Sequence, residues 1–256
     1  MDVSAMVTRG HSREQETRTL KNLIRVAGIV AGLALSLGMQ DSRAQAQGQA
    51  PAGQPPPAGR AGGGRSNVPP PDPTKPARLE IADGTKARYR VREQLAGINF
   101  PSDAVGTTES VTGVLVLNPD GSFDSARSKL TVDLRTIKSD QQMRDGYIQS
   151  RTLETEKFPT IEFVPRRAVG LPVPLPAGMQ AQAGFQLIGD MTLHGVTHEV
   201  TWNVVATFGN DQVAGRATTT VLFPTFNLTK PSLARIMSVD DKIELEIEFK
   251  CKRSVL

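Results

Sequence analysis

Cysteine occurs once in this 256-residue chain, at Cys251, so no disulfide can join two parts of one molecule. Aromatic residues are scarce, 5% of the total, and Trp202 is the only tryptophan. No apolar run reaches the roughly 20 residues that a membrane-spanning helix needs. A Gly-x-Ser-x-Gly elbow is missing, which removes the usual sequence sign of a nucleophilic serine. A large excess of charge of either sign is missing too. Without residues 1–46 the chain holds 24 bases against 22 acids, and that balance gives no footing for nucleic acid.

The first third does not read as globular. Lys21 and Arg25 precede an apolar run from Val26 to Leu37, followed by Ser42-Arg43-Ala44 and Ala44-Gln45-Ala46. This is the outline of a secretory signal, residues 1–46, cleaved near Ala44 or Ala46, with Met6 as an alternative start. The expected product is periplasmic or secreted, with no stable membrane anchor after cleavage. Residues 47–77 are rich in Pro, Gly, Ala and Gln and have little to bury, so a disordered linker is expected there. A folded domain is expected over 78–256.

Within that domain the clearest stretch is Gly184–Phe208. Phe185, Leu187, Met191 and Leu193 fall on one face with Gly189 among them. After His194-Gly195 the alternation resumes with Val200, Trp202, Val204, Ala206 and Phe208. Two period-two runs around a glycine turn predict a β-hairpin. Around it lie further runs of the same kind: Ala87–Leu95, Val111–Leu117, Leu130–Leu134, Thr160–Val164 and Gln212–Phe223. The last strand, from Ile243, alternates Ile243, Leu245, Ile247 and Phe249 with Glu244, Glu246, Glu248 and Lys250. Its acidic face complements Arg88, Arg90 and Arg92 on the first strand, which predicts that first and last strands pair and close the sheet. A short helix is expected after Ser139-Asp140, interrupted at Gly146, and Pro165–Gly178 reads as a long surface loop.

Few residues invite chemistry. His194 and His198 have the His-x3-His spacing, but a hairpin turn does not hold them on one helical face, so no metal site is expected. Asp140, Arg144 and Asp145 read as a solvated helix start with local ion pairs. Cys251 reads as inert.

Glu156-Lys157-Phe158-Pro159-Thr160-Ile161-Glu162-Phe163 and Asp190-Met191-Thr192-Leu193-His194-Gly195-Val196-Thr197 together resemble the YceI-like family. The similarity spans about Leu79–Lys252. Phe223-Pro224-Thr225-Phe226 keeps an aromatic of the family's Arg-x-Asp-Phe-Gly element without its Arg or Asp. The resemblance implies an all-β, antiparallel, eight-stranded lipocalin-like barrel with a short helix between strands. It also implies an amphiphilic polyisoprenoid inside, of the prenyl phosphate or quinone type. Such a barrel is just wide enough to fill with its own side chains or to enclose one elongated molecule. On that reading the ligand contacts are Phe163, Leu187, Met191, Trp202, Val204, Leu245 and Ile247. Tyr89, Val91, Leu134, Phe158, Phe223 and Phe226 join them from neighbouring strands, and Met143 and Ile148 from a lid-like helix. The expectation is a non-catalytic lipid-binding protein with no cofactor beyond its lipid, and a homodimer stays open. The alternatives are an envelope protein acting through its surface and an enzyme using the same cavity.

Overall fold

The computed structural model describes residues 68–256 apart from 179–180 and 233; the expected signal and residues 47–67 of the expected linker lie outside the described residues. Eleven strands follow in order: β1 (Ala77–Ile81), β2 (Lys86–Leu95), β3 (Ser102–Thr108), β4 (Val111–Leu117), β5 (Lys129–Asp133), β6 (Lys138–Ser139), β7 (Thr160–Val169), β8 (Ala181–Leu193), β9 (Val196–Phe208), β10 (Gln212–Leu222) and β11 (Ile236–Val255). All pairings are antiparallel. The ring β1-β4-β5-β7-β8-β9-β10-β11 closes through β1–β11 pairing, and β2-β3-β6 continues from the other half of β11. The result is a closed eight-stranded antiparallel barrel in which β1 with β2, β3 with β4, and β5 with β6 act as broken halves of single long strands.

The hairpin of β8 and β9 stays in register without a shift from Ala181–Phe208 to Leu193–Val196. His194 and Gly195 both have positive φ, +52° and +74°, as a two-residue turn matched to strand twist requires. Gly189 has a different duty. A Cβ there would lie 2.3 Å from the Val164 carbonyl oxygen and 2.8 Å from Pro165 Cα, so only glycine lets β7 approach β8 at its bulge.

The predicted seam is present. In the β11–β2 register Glu244 faces Arg90 and Glu246 faces Arg88, while Glu248 falls opposite Lys86. Arg88 Nη1 donates to Glu246 at 2.9 Å and to Glu248 at 3.0 Å. Inside, one continuous core joins Val91, Phe163, Leu187, Met191, Trp202, Val204, Phe208 and Val221.

Several local expectations need correction. The helix α1 (Gln142–Tyr147) runs through Gly146 without interruption and passes into a π-helical segment, Ile148–Thr152. Neither Ser139 nor Asp140 caps it; the Ser139 amide and hydroxyl instead donate to Asp145 Oδ1, at 2.8 and 2.6 Å. Pro165 belongs to β7, which extends to Val169, so the loop begins only at Gly170. β11 is twenty residues long, starting seven residues before the predicted strand. Among the described residues, no helix is long and apolar enough to cross a membrane.

Candidate functional site: an apolar cavity with a lidded mouth

The barrel is not filled by its own side chains. A cavity of about 200 Å³ runs within it, many times the roughly 10–15 Å³ that would admit one water. Its wall is almost wholly carbon. Trp202, Val204 and Ala206 come from β9, Leu187, Met191 and Leu193 from β8, Ile243, Leu245, Ile247 and Phe249 from β11, and Phe163 from β7. These face inward because period-two alternation sends every second side chain to the enclosed face.

The two ends differ. At the base, where β11 finishes, Phe123, Leu171 and Leu175 pack against the core. Arg253, only 8% exposed, donates to the carbonyl oxygens of Pro176, Gly209 and Leu175 and so fastens the Pro-rich loop under the barrel. Burial lowers its pKa from the ordinary arginine value. This inward arginine was not read from the sequence.

At the mouth, where β11 begins, α1 and the π-helical segment fill the gap between β6 and β7. Ile148 and Leu153 point into the core, and Tyr147 Oη accepts from the Ser232 amide at 3.3 Å. Arg144 Nη2 donates to Glu93 Oε1 at 2.8 Å and Nη1 donates to Asp140 Oδ1 at 2.5 Å. The Glu93 and Arg144 side chains are 5% and 11% exposed. The expected local ion pair forms, with the Asp140 side chain 73% exposed, but Arg144 also reaches the buried Glu93, so the helix start clasps lid to wall and the cavity has a polar end that the inward rows did not suggest. Its sequence signal was Glu93 itself, an acid at the inward parity of Tyr89 and Val91, which needs a buried partner. Burial also drives the Tyr89 phenol up to about 12, against a smaller opposing pull from Arg144.

Of the expected ligand contacts, Tyr89, Val91, Leu134, Ile148, Phe163, Leu187, Met191, Trp202, Val204, Phe223, Leu245 and Ile247 line the cavity. Met143, Phe158 and Phe226 do not. Met143 sits on the outer side of α1, 85% exposed. Phe158 stacks edge-on against His194, with ring centroids 4.5 Å apart. Phe226 is fully buried in a 3₁₀ turn beneath His198. His194 Nε2 lies 3.0 Å from Glu154 Oε2, which ties the far end of the lid to the β8–β9 turn. Among the described residues no three potential metal ligands gather. Cys251 is buried in the wall, which drives its thiol up to about 12.

A closed antiparallel barrel around an apolar, lidded cavity is an architecture with room for an apolar molecule inside. Residues 82–251 match the family model described as the YceI-like domain, and the chain belongs to that family. Two UPF0312 proteins of Pseudomonas putida, from strains W619 and GB-1, are 31% and 30% identical over 142 residues. Each alignment covers 49% of this chain and 68% of the relative. Among solved structures, a polyisoprenoid binding domain from Saccharophagus degradans, implicated in plant cell wall breakdown, aligns with a TM-score of 0.54 at 10% identity. That alignment covers 69% of this chain and 98% of that domain. It shares the fold.

Proposed function

We propose that this is an exported, non-catalytic protein that shields a polyisoprenoid lipid inside its barrel. The observation that carries the reading is the cavity, about 200 Å³ and carbon-lined, with the lid segment at one end and the Pro-rich loop at the other. A methyl-branched chain would gain about 0.8 kcal/mol for each methylene moved from water into it, and a polar substrate would find almost nothing to bond along the wall. The solved relative named for polyisoprenoid binding supports the choice of ligand. Export is supported by the leader-like segment ahead of the Pro-rich stretch.

The test is to express the full chain with its leader, purify it without detergent, and analyse extracted lipids by mass spectrometry. An isoprenoid at near-stoichiometric yield is expected. Recovery of lipid-free protein that also takes up no added isoprenoid would overturn the reading. Cell fractionation with sequencing of the mature N-terminus checks export, with cleavage expected near Ala44 or Ala46.

A further inference from the structure

We infer that the outer rim of the mouth is a reversible docking surface for an anionic phospholipid bilayer, entered by Ile98, Phe100, Met143 and Met237 and steered by Arg92 and Arg235. The inference goes beyond the isoprenoid reading and does not rest on it, because none of these side chains lines the cavity.

Apolar exposure is concentrated at this end of the barrel. Met143 is 85% exposed, Phe100 78% and Met237 70%, the three highest values for large apolar side chains among the described residues, with Ile98 beside them at 48%. Three separate elements bring them to one rim. Ile98 and Phe100 stand on the turn between β2 and β3, which the Ala96 amide fastens by donating to the Arg235 carbonyl oxygen at 2.8 Å. Met237 follows on β11, where Ile236 pairs with Leu95. Met143 precedes Arg144, whose guanidinium reaches Glu93 on the same stretch of β2. Large apolar groups gathered in water at one place mark a surface that something covers.

Charge identifies the cover. Arg92 and Arg235 flank the apolar tips, both exposed, and among the described residues neither pairs with an acid. Asp103 falls opposite Arg92 in the β2–β3 register, yet its carboxylate lies 3.8 Å from Arg90. The other acids of the rim are engaged: Glu93 and Asp140 by Arg144, Asp241 by Lys230, Asp145 by Ser139 and Asp240 by the Lys242 amide. Apolar tips beside free guanidinium groups complement an interface in which acyl chains lie beneath anionic phosphates. A protein partner would meet short prongs with the exposed Asn99 and Ser238 between them rather than a continuous apolar core. The chain also leaves this end clear: Asn210 holds the Val68 carbonyl oxygen, and the Leu256 amide donates to Pro76, both at the base.

The experiment floats the purified mature chain with vesicles of phosphatidylcholine alone, or of phosphatidylcholine and phosphatidylglycerol in equal parts. It is expected to float with the mixed vesicles and severalfold less with the neutral ones, the difference closing as salt rises. Phe100→Ser combined with Met237→Ser should lower binding to the mixed vesicles about tenfold or more. Arg92→Gln should lower it roughly fivefold and leave binding to neutral vesicles unchanged. Val205→Ser, which removes a half-exposed apolar side chain from the outer wall of β9, should change neither. Unchanged far-ultraviolet circular dichroism in each variant separates lost binding from lost fold. No flotation with either vesicle, or rim variants that float like the unaltered protein, overturns the inference. So does a dimer in solution that Phe100→Ser dissociates, since a second copy would then cover the face. These outcomes leave the isoprenoid reading untouched, which lipid extraction decides separately.

Discussion

Arg88 on β2 reaches across to β11 and places Nη1 2.9 Å from Glu246 Oε1, at the seam where the chain's first long strand meets its last. The same nitrogen is shared with Glu248, and Arg216 of β10 adds contacts to both acids, so three strands are laced on the outer face. Charges this exposed contribute little one by one, but a reversal places like charges opposite each other. Arg88→Glu should lower Tm by about 1–4 °C and do so less in high salt. Thermal melts at two ionic strengths check this.

Gly189 leads to a larger effect. With the Val164 carbonyl oxygen 2.3 Å and Phe163 Cζ 2.7 Å from an added Cβ, Gly189→Ala must push β7 off β8 or turn the Phe163 ring. The expected cost is about 1–3 kcal/mol, as for other overpacked sites. Urea unfolding measures it. Wild-type stability in the variant would contradict the close approach.

Filling the cavity should separate folding from ligand uptake. Ala217 lines the space from β10 and is 9% exposed. Ala217→Trp places an indole where a lipid tail would lie, so bound lipid should fall several-fold while the far-ultraviolet circular dichroism stays that of a β-barrel. Mass spectrometry of extracted lipid reads the first effect. A variant that still carries lipid at wild-type yield would move the ligand out of this cavity.

Stability should fall in alkali. The Cys251 thiol is raised by burial from 9.0 to about 12, and the Tyr89 phenol from 10.0 to about 12. Both groups are protonated in the fold and ionise more easily once unfolded, so their contribution is complete below pH 9.0 and is lost between 9.0 and about 12. Tyr89 joins from 10.0 upward. Urea midpoints at about pH 8 and about pH 11 should differ less in Cys251→Ala and Tyr89→Phe than in the unaltered protein. The native thiol should also resist alkylation until the barrel opens.

How much of this was legible depends on how strongly each stretch alternates. Phe185 to Phe208 announces its hairpin because both runs keep period two and His194-Gly195 supplies a turn with φ positive at both positions. The Arg and Glu rows announce the seam for the same reason, since a period-two charge pattern fixes which face meets which. β1 and β3 were not named as strands. ARLEI is five residues long and SDAVGTT has almost no apolar side chain, so neither stands out until a neighbour pairs with it. Cavity-lining residues on regular strands followed from parity alone. Met143, Phe158 and Phe226 did not, because they lie on helix or turn segments where parity says nothing about direction. Glu93 and Arg253 went unread for the opposite reason: each occupies an inward position in an otherwise apolar row, where composition suggests solvent and the fold supplies a partner.

With Arg253 clamping the Pro-rich loop beneath the barrel, that end is the fixed one, and the lidded end is the expected route of entry and exit. Whatever occupies the cavity must depart through the opening by which it came, so an incoming molecule cannot push the resident one out from behind. Exchange then proceeds at the pace of a single door, and at high ligand concentration its rate should stop rising and be limited by the passage past residues 142–154.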